Sequence, residues 1–206
     1  MDDARGLKEL QLDALREVAN IGAGHAATAL SQMTNRTIMI SVPEVNVRPL
    51  EEVTDLLGSP DDVIAAVLMQ MMGDLTGRTL VLFPEDSARR LCDILLAREP
   101  GTTTGFDVME QSGLKEVGNI LVSAYMNALS DFMGMMLVPS VPSLVIDLSA
   151  AILTTTYLNF GHERDFVFCV ETSFHVGGAT ERLQGHFLLL PDMPSLRAIF
   201  DAIRLP

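Results

Sequence analysis

The sequence predicts an α/β (α+β) fold: a pseudo-twofold duplicated domain with a joined six-stranded, largely antiparallel sheet covered by helices. Three observations lead there. A helical segment recurs at an offset of 99 residues: over 13–31 and 112–130, eight of nineteen aligned pairs are identical, Glu17/Glu116 and Asn20/Asn119 among them. Ser41-Val42-Pro43 returns at the same offset as Ser140-Val141-Pro142. Helix-like and strand-like periods then follow one another in the same order in both halves. Each half supplies about three strands, too few to bury both faces of a sheet alone. The expectation is therefore a single domain over 1–206, built of repeats 8–97 and 107–204 and joined by linker 98–106.

The elements follow in order. Residues 8–33 hold no proline and set Leu12, Leu15, Ala19, Ala23, Ala26 and Leu30 on one side of a helix. Residues 37–47 alternate as a strand that runs through Pro43, with an edge or bulge there. Residues 50–57 suit a short helix stopped by Gly58-Ser59-Pro60. The apolar runs 63–72 and 78–83 flank a turn and read as a hairpin of buried strands. An amphipathic helix over 86–97 closes the first half. The second half repeats the series as helix 107–132, strand 135–142, helix 144–157, strands 166–175 and 183–190, and helix 194–204.

With 48% hydrophobic and 20% charged residues, the 206-residue chain has ample apolar material for a core. No apolar run approaches the roughly 18–20 residues of a membrane span. Asp2 and Asp3 follow Met1 where a secretory signal would carry basic charge. Cys92 and Cys169 stand alone among apolar neighbours, which fits core thiols in the reducing cytoplasm. A formal net charge of −13 disfavours nucleic acid and anionic lipid, whose recognition rewards clustered Lys and Arg.

Shared apolar residues between the repeats follow from packing. The shared Glu and Asn do not. Asp13, Glu17, Asn20 and Gly24 form one polar stripe, repeated by Ser112, Glu116, Asn119 and Ser123. Three-residue spacing sets Glu and Asn side by side, free to address one ligand. A carboxylate can pair with a cation or act as a base; a carboxamide offers donors and an acceptor without changing charge. Such a carboxamide can hold a water in line with an electrophilic phosphorus.

The spacing Asp/Ser, three residues, Glu, two residues, Asn, twenty-two residues, Pro resembles the signature of the CheC-type chemotaxis phosphatases, relatives of CheX and FliY. Asp13-Glu17-Asn20-Pro43 and Ser112-Glu116-Asn119-Pro142 both match it, and the resemblance spans nearly the whole chain. It implies a phosphatase acting on the phospho-aspartate of the response regulator CheY. Asn20 and Asn119 would position the attacking water, and Glu17 and Glu116 would pair with the regulator's lysine. The enzyme would need no cofactor of its own, since the Mg²⁺ would belong to the regulator. The residues Asp13, Pro43, Ser112 and Pro142 would support the motif. The resemblance also implies a possible second partner, the receptor deamidase CheD, bound through helix 144–157, whose apolar residues go most of the way round. The alternative is a non-catalytic adaptor of the same fold that binds CheY or CheD.

Other patterns carry less. Gly22-Ala-Gly24-His-Ala-Ala27 resembles a dinucleotide fingerprint, but it lies within a helix with no preceding strand, so close helix packing explains it better. The four histidines show no ligand spacing. Aromatics at 5% and the absence of Trp are poor material for stacking sugars. The twelve methionines read as core filler.

Overall fold

The computed structural model describes residues 9–48, 53, 58–160, 167–176 and 182–203. In chain order they form α1 (Glu9–Thr34), β1 (Ile38–Ile40), β2 (Glu44–Arg48), β3 (Val63–Gly73), β4 (Gly77–Pro84) and α2 (Glu85–Leu95). The second half continues with α3 (Val108–Met133), β5 (Leu137–Pro139), β6 (Ser143–Leu148), α4 (Ser149–Phe160), β7 (Val167–Val176), β8 (Arg182–Pro191) and α5 (Met193–Ala202). The expected helix over 50–57 lies outside the described residues except for Val53, which is buried.

The eight strands make one antiparallel sheet in the order β1-β7-β8-β4-β3-β5, with β2 also beside β7 and β6 also beside β3. The sheet thus has six lanes, and each outer lane is broken in two at its Ser-Val-Pro segment. Hairpins β3–β4 and β7–β8 meet at its centre through the β4–β8 pairing, where Leu80 lies opposite Leu188. The outer lanes are exchanged: β1 and β2 of the first half pair with β7 of the second. In return, β5 and β6 of the second half pair with β3 of the first.

The hydrophobic period of the strands divides the core. On one face Ala65, Val67, Met69, Val81, Phe83, Phe168 and Val170 meet residues of α1, α2, α3 and α5. On the other, Ile64, Ala66, Leu80, Leu82, Cys169 and Leu188 meet Ile152 and Leu153 of α4, with Val53. Each fully buried aliphatic side chain contributes about 1.5–3 kcal/mol, so hairpins apolar on both faces require both helical layers.

One expected element is corrected. Residues 143–148 are strand β6, not the opening of helix 144–157, and the helix starts only at Ser149. Leu144 and Ile146 alternate with exposed Ser143, Val145 and Asp147, and the segment pairs with β3 in the register Leu144↔Val67, Ile146↔Ala65. Edge pairing to a buried strand outweighs a helical period that a short apolar run can also satisfy. The strand expected over 135–142 shortens to Leu137–Pro139, and the one over 37–47 divides at Pro43, which has no amide to donate.

Residues 98–106 are held firmly. Asp93, 1% exposed, accepts hydrogen bonds from the amides of Gly101 (2.7 Å) and Thr103 (2.9 Å), with Arg90 at 3.5 Å. Arg98 pairs with the buried carboxylate of Glu110 in the first turn of α3. Burial alone would raise the Asp93 pKa, but the hydrogen bonds from Thr103 and Gly101, with Arg90 nearby, hold it below the usual carboxylate range. The neighbouring Cys92 thiol is pushed up to about 12 by burial and by the Glu110 and Asp93 carboxylates, so it stays protonated. Asp93→Ala strands the amide of buried Thr103, while exposed Gly101 can turn to water, and should cost about 1–3 kcal/mol at neutral pH. Because the folded pKa is depressed, this stability is present above the unfolded value of about 3.9 and is lost as pH falls through the folded value. Urea unfolding of both proteins between about pH 7 and pH 3 should show the gap narrowing on acidification.

Candidate functional site

Helices α1 and α3 lie on the same face of the sheet and pack against each other. Gly22 makes the approach possible: a Cβ there would stand 2.6 Å from Tyr125 Cδ1 and 3.0 Å from its Cα. Tyr125 is fixed in turn by a 3.1 Å hydrogen bond with Thr172 Oγ1 and by stacking on Phe187. The small-residue run of α1 is therefore a helix-packing surface. Gly24, by contrast, meets open space.

On α1, Leu15, Val18 and Ala19 point into the core, which turns Asp13, Glu17 and Asn20 to the surface. On α3, Leu114, Val117 and Gly118 are buried, which leaves Ser112 and Glu116 exposed and Asn119 half-buried. Both Glu–Asn pairs thus sit on the outer side of the helical layer. Within the described residues, no hydrogen bond or ion pair engages the side chains of Glu17, Asn20, Glu116 or Asn119. Their polar groups are left for solvent or a partner.

The supporting positions are more engaged. Asp13 forms a 2.8 Å ion pair with Arg16, a residue the sequence reading had not singled out. Ser112 Oγ donates to the Val108 carbonyl one turn back at 2.7 Å. Pro43 is buried and Pro142 half-buried, each ending the loop that breaks an outer lane. Asn119 is less open than Asn20 because α3 lies close on the sheet. A Cβ on Gly118 would stand 2.5 Å from Val67 Cγ1, whereas Ala19 has a cavity of about 50 Å³ beneath it.

One carboxylate and one carboxamide per Glu–Asn pair are too few oxygen donors to enclose a hard divalent cation, which takes about six or more. The arrangement can pair with a cation through Glu and can orient a water or polar group through Asn.

The CheC-like family matches residues 10–47 and 109–146, two segments related by the same offset of 99 as the Glu–Asn pairs. Over 200 residues the chain is 34% identical to the CheY-P phosphatase CheC of Bacillus subtilis (strain 168), spanning 96% of both proteins. The chain belongs to the CheC-like family. The CheC-like fold agrees with solved structures. Thermotoga maritima FliY superposes with a TM-score of 0.79 at 20% identity, covering 96% of this chain and 98% of that one. The FliM middle domain from H. pylori superposes at 0.68 and 16% identity, covering 95% and 99%. Among the described residues no helix is long and apolar enough to cross a membrane.

Proposed function

We propose that this chain is a phosphatase that dephosphorylates the response regulator CheY at its phospho-aspartate, terminating or adapting a chemotaxis signal. The observation that carries the assignment to particular residues is the duplicated Glu–Asn pair, on the outer side of the helical layer and with no side-chain partner among the described residues. In this reading Asn20 and Asn119 enter the regulator's active site and hold the attacking water in line with phosphorus. Glu17 and Glu116 pair with a regulator lysine and hold the complex. A phospho-aspartate is an acyl phosphate, already prone to hydrolysis, so alignment of one water supplies much of the remaining gain. No nucleophile from the phosphatase is required. Mg²⁺ is assigned to the regulator's own active site, and the chain works in the cytoplasm with its regulator.

Phosphate release from CheY charged with acetyl phosphate, with and without substoichiometric amounts of this protein, tests the assignment. Acceleration is expected; none at catalytic concentrations would make the protein an adaptor. Glu17→Gln and Glu116→Gln should each raise KM for their own site about fivefold, the worth of an exposed ion pair near 1 kcal/mol, with little change in kcat. Rising salt should raise the parent's KM similarly and leave the double Gln variant nearly unaffected. A KM independent of salt in the parent would remove the lysine from the reading.

For CheD, the surface we favour is the opposite side of the sheet, along β6 and α4. Val145 is exposed there, beside the buried Ile152 of α4.

A further inference from the structure

We propose that Val42 and Val141 are apolar anchors that dock the phosphorylated regulator, one beside each Glu–Asn pair. This rests on the phosphatase reading and adds to it the part of the surface that sets affinity.

Single exposed apolar residues are ordinary. These two are unusual in being 78% and 87% exposed at positions related by the same offset of 99 as the catalytic pairs. Each is also held in place by the same device. The Ser41 amide donates to the Ser173 carbonyl at 2.9 Å, and Ser41 Oγ accepts from the Ser173 amide at 3.3 Å. In the other half the Ser140 amide donates to the Gln70 carbonyl at 2.9 Å, and Ser140 Oγ accepts from the Gln70 amide at 2.9 Å. On its other side each valine precedes a proline, which is fixed in φ and drives the residue before it into extended backbone. Serine and proline thus hold the loop to the sheet and present the valine to solvent. Neither bond requires an apolar side chain between them.

The position follows from the path of the chain. The Ile38 amide donates to Ser31 Oγ at 2.9 Å, which ties the start of β1 to the last third of α1. Val45 lines one small cavity together with Leu15, Val18 and Ala19, which ties β2 to the first half of α1. The stretch 38–45 therefore runs back along the helix, about 23 Å of extended chain beside about 21 Å of helix. Along the helix axis, Val42 falls level with residue 23 or so, about one turn on from Asn20. The second repeat does the same, with α3 packed against β5 and β6 and Val141 between them.

A stable protein interface covers about 800 Å² on each side. A partner seated over Asn20 would therefore also cover Val42. A desolvated aliphatic contact flanked by a charged Glu is the usual division of an interface into apolar centre and polar rim. Two anchors for two Glu–Asn pairs, at one offset, point to the same occupant for both. That occupant is the phosphorylated regulator.

The test separates the halves. In an Asn119→Ala background, where turnover comes from the α1 site, Val42→Ser should raise KM about 5- to 10-fold, less than full loss of a buried aliphatic side chain would give because serine keeps part of the contact, with kcat within about twofold. Val141→Ser should have a much smaller effect there. In an Asn20→Ala background the roles should reverse, and Val→Ile at either position should restore the parent KM. Binding of beryllofluoride-loaded CheY to the Asn20→Ala/Asn119→Ala protein reads docking without hydrolysis, and adding both Val→Ser changes should weaken it by a similar factor. An unchanged KM and affinity, or an effect that ignores which half is active, would overturn the proposal. So would a change confined to self-association of the chain. Full turnover by the double Asn variant would instead defeat the water-positioning assignment, and the affinity measurement would still judge the anchors.

Discussion

The double variant Asn20→Ala/Asn119→Ala should lose nearly all phosphatase activity, on the order of 10²-fold or more, because misplacing a reacting water costs that much. Each single variant should keep a part, since the two pairs lie on different helices. Folding should survive: Asn20 is exposed, Asn119 is half-buried, and neither side chain makes a hydrogen bond within the described residues. Single-turnover hydrolysis of phospho-CheY gives the rate, and thermal unfolding confirms that the fold persists. A double variant as active as the parent would reduce both asparagines to surface residues.

A large stability effect, one that also reaches the site, is expected at Gly118. An added Cβ would lie 2.5, 2.7 and 2.9 Å from three carbons of Val67, which is itself fully buried in β3. All three are side-chain atoms of one β-branched residue, so no single rotamer of Val67 clears the site. Gly118→Ala must lift α3 or push β3, at a cost of about 1–3 kcal/mol. For a chain of this size that lowers Tm by roughly 3–10 °C. The lift also moves Asn119, the next residue, so turnover in an Asn20→Ala background should fall alongside stability. Differential scanning calorimetry paired with that assay would show both. The repeat-related position already carries alanine, Ala19, above the cavity, and needs no such adjustment.

Much of this was legible in the chain because polar identity repeated where packing did not demand it. Glu17, Asn20 and their partners stood out for that reason, and they occupy equivalent stripes on the outer side of the helical layer. The strand β6 was missed, although the repeat held a signal for it. Its counterpart, Glu44-Val45-Asn46-Val47-Arg48, alternates cleanly, whereas Ser143-Leu-Val-Ile-Asp-Leu148 is apolar enough to satisfy a helical period. The exchange of outer lanes left no trace in the sequence. A hydrophobic alternation specifies which face of a strand is buried, not which strand lies next to it. The unequal exposure of Asn20 and Asn119 was equally hidden, because it depends on a contact between Gly118 and a strand more than fifty positions away in sequence.

The exchanged lanes also impose an order in time. Strands β1 and β2 leave the ribosome early, yet Ile38 must wait for Val176 and Glu44 for Glu171, near the end of the chain. Such distant pairings form slowly, after loop-closure entropy has been overcome. During synthesis the nascent first half therefore holds two strands with no partner, and β3 waits with an open edge until β5 and β6 appear. The waiting strands are poor templates for misassembly. β1 is three residues long, and in β2 Glu44, Asn46 and Arg48 alternate with Val45 and Val47, so polar side chains guard the segment until its neighbour arrives.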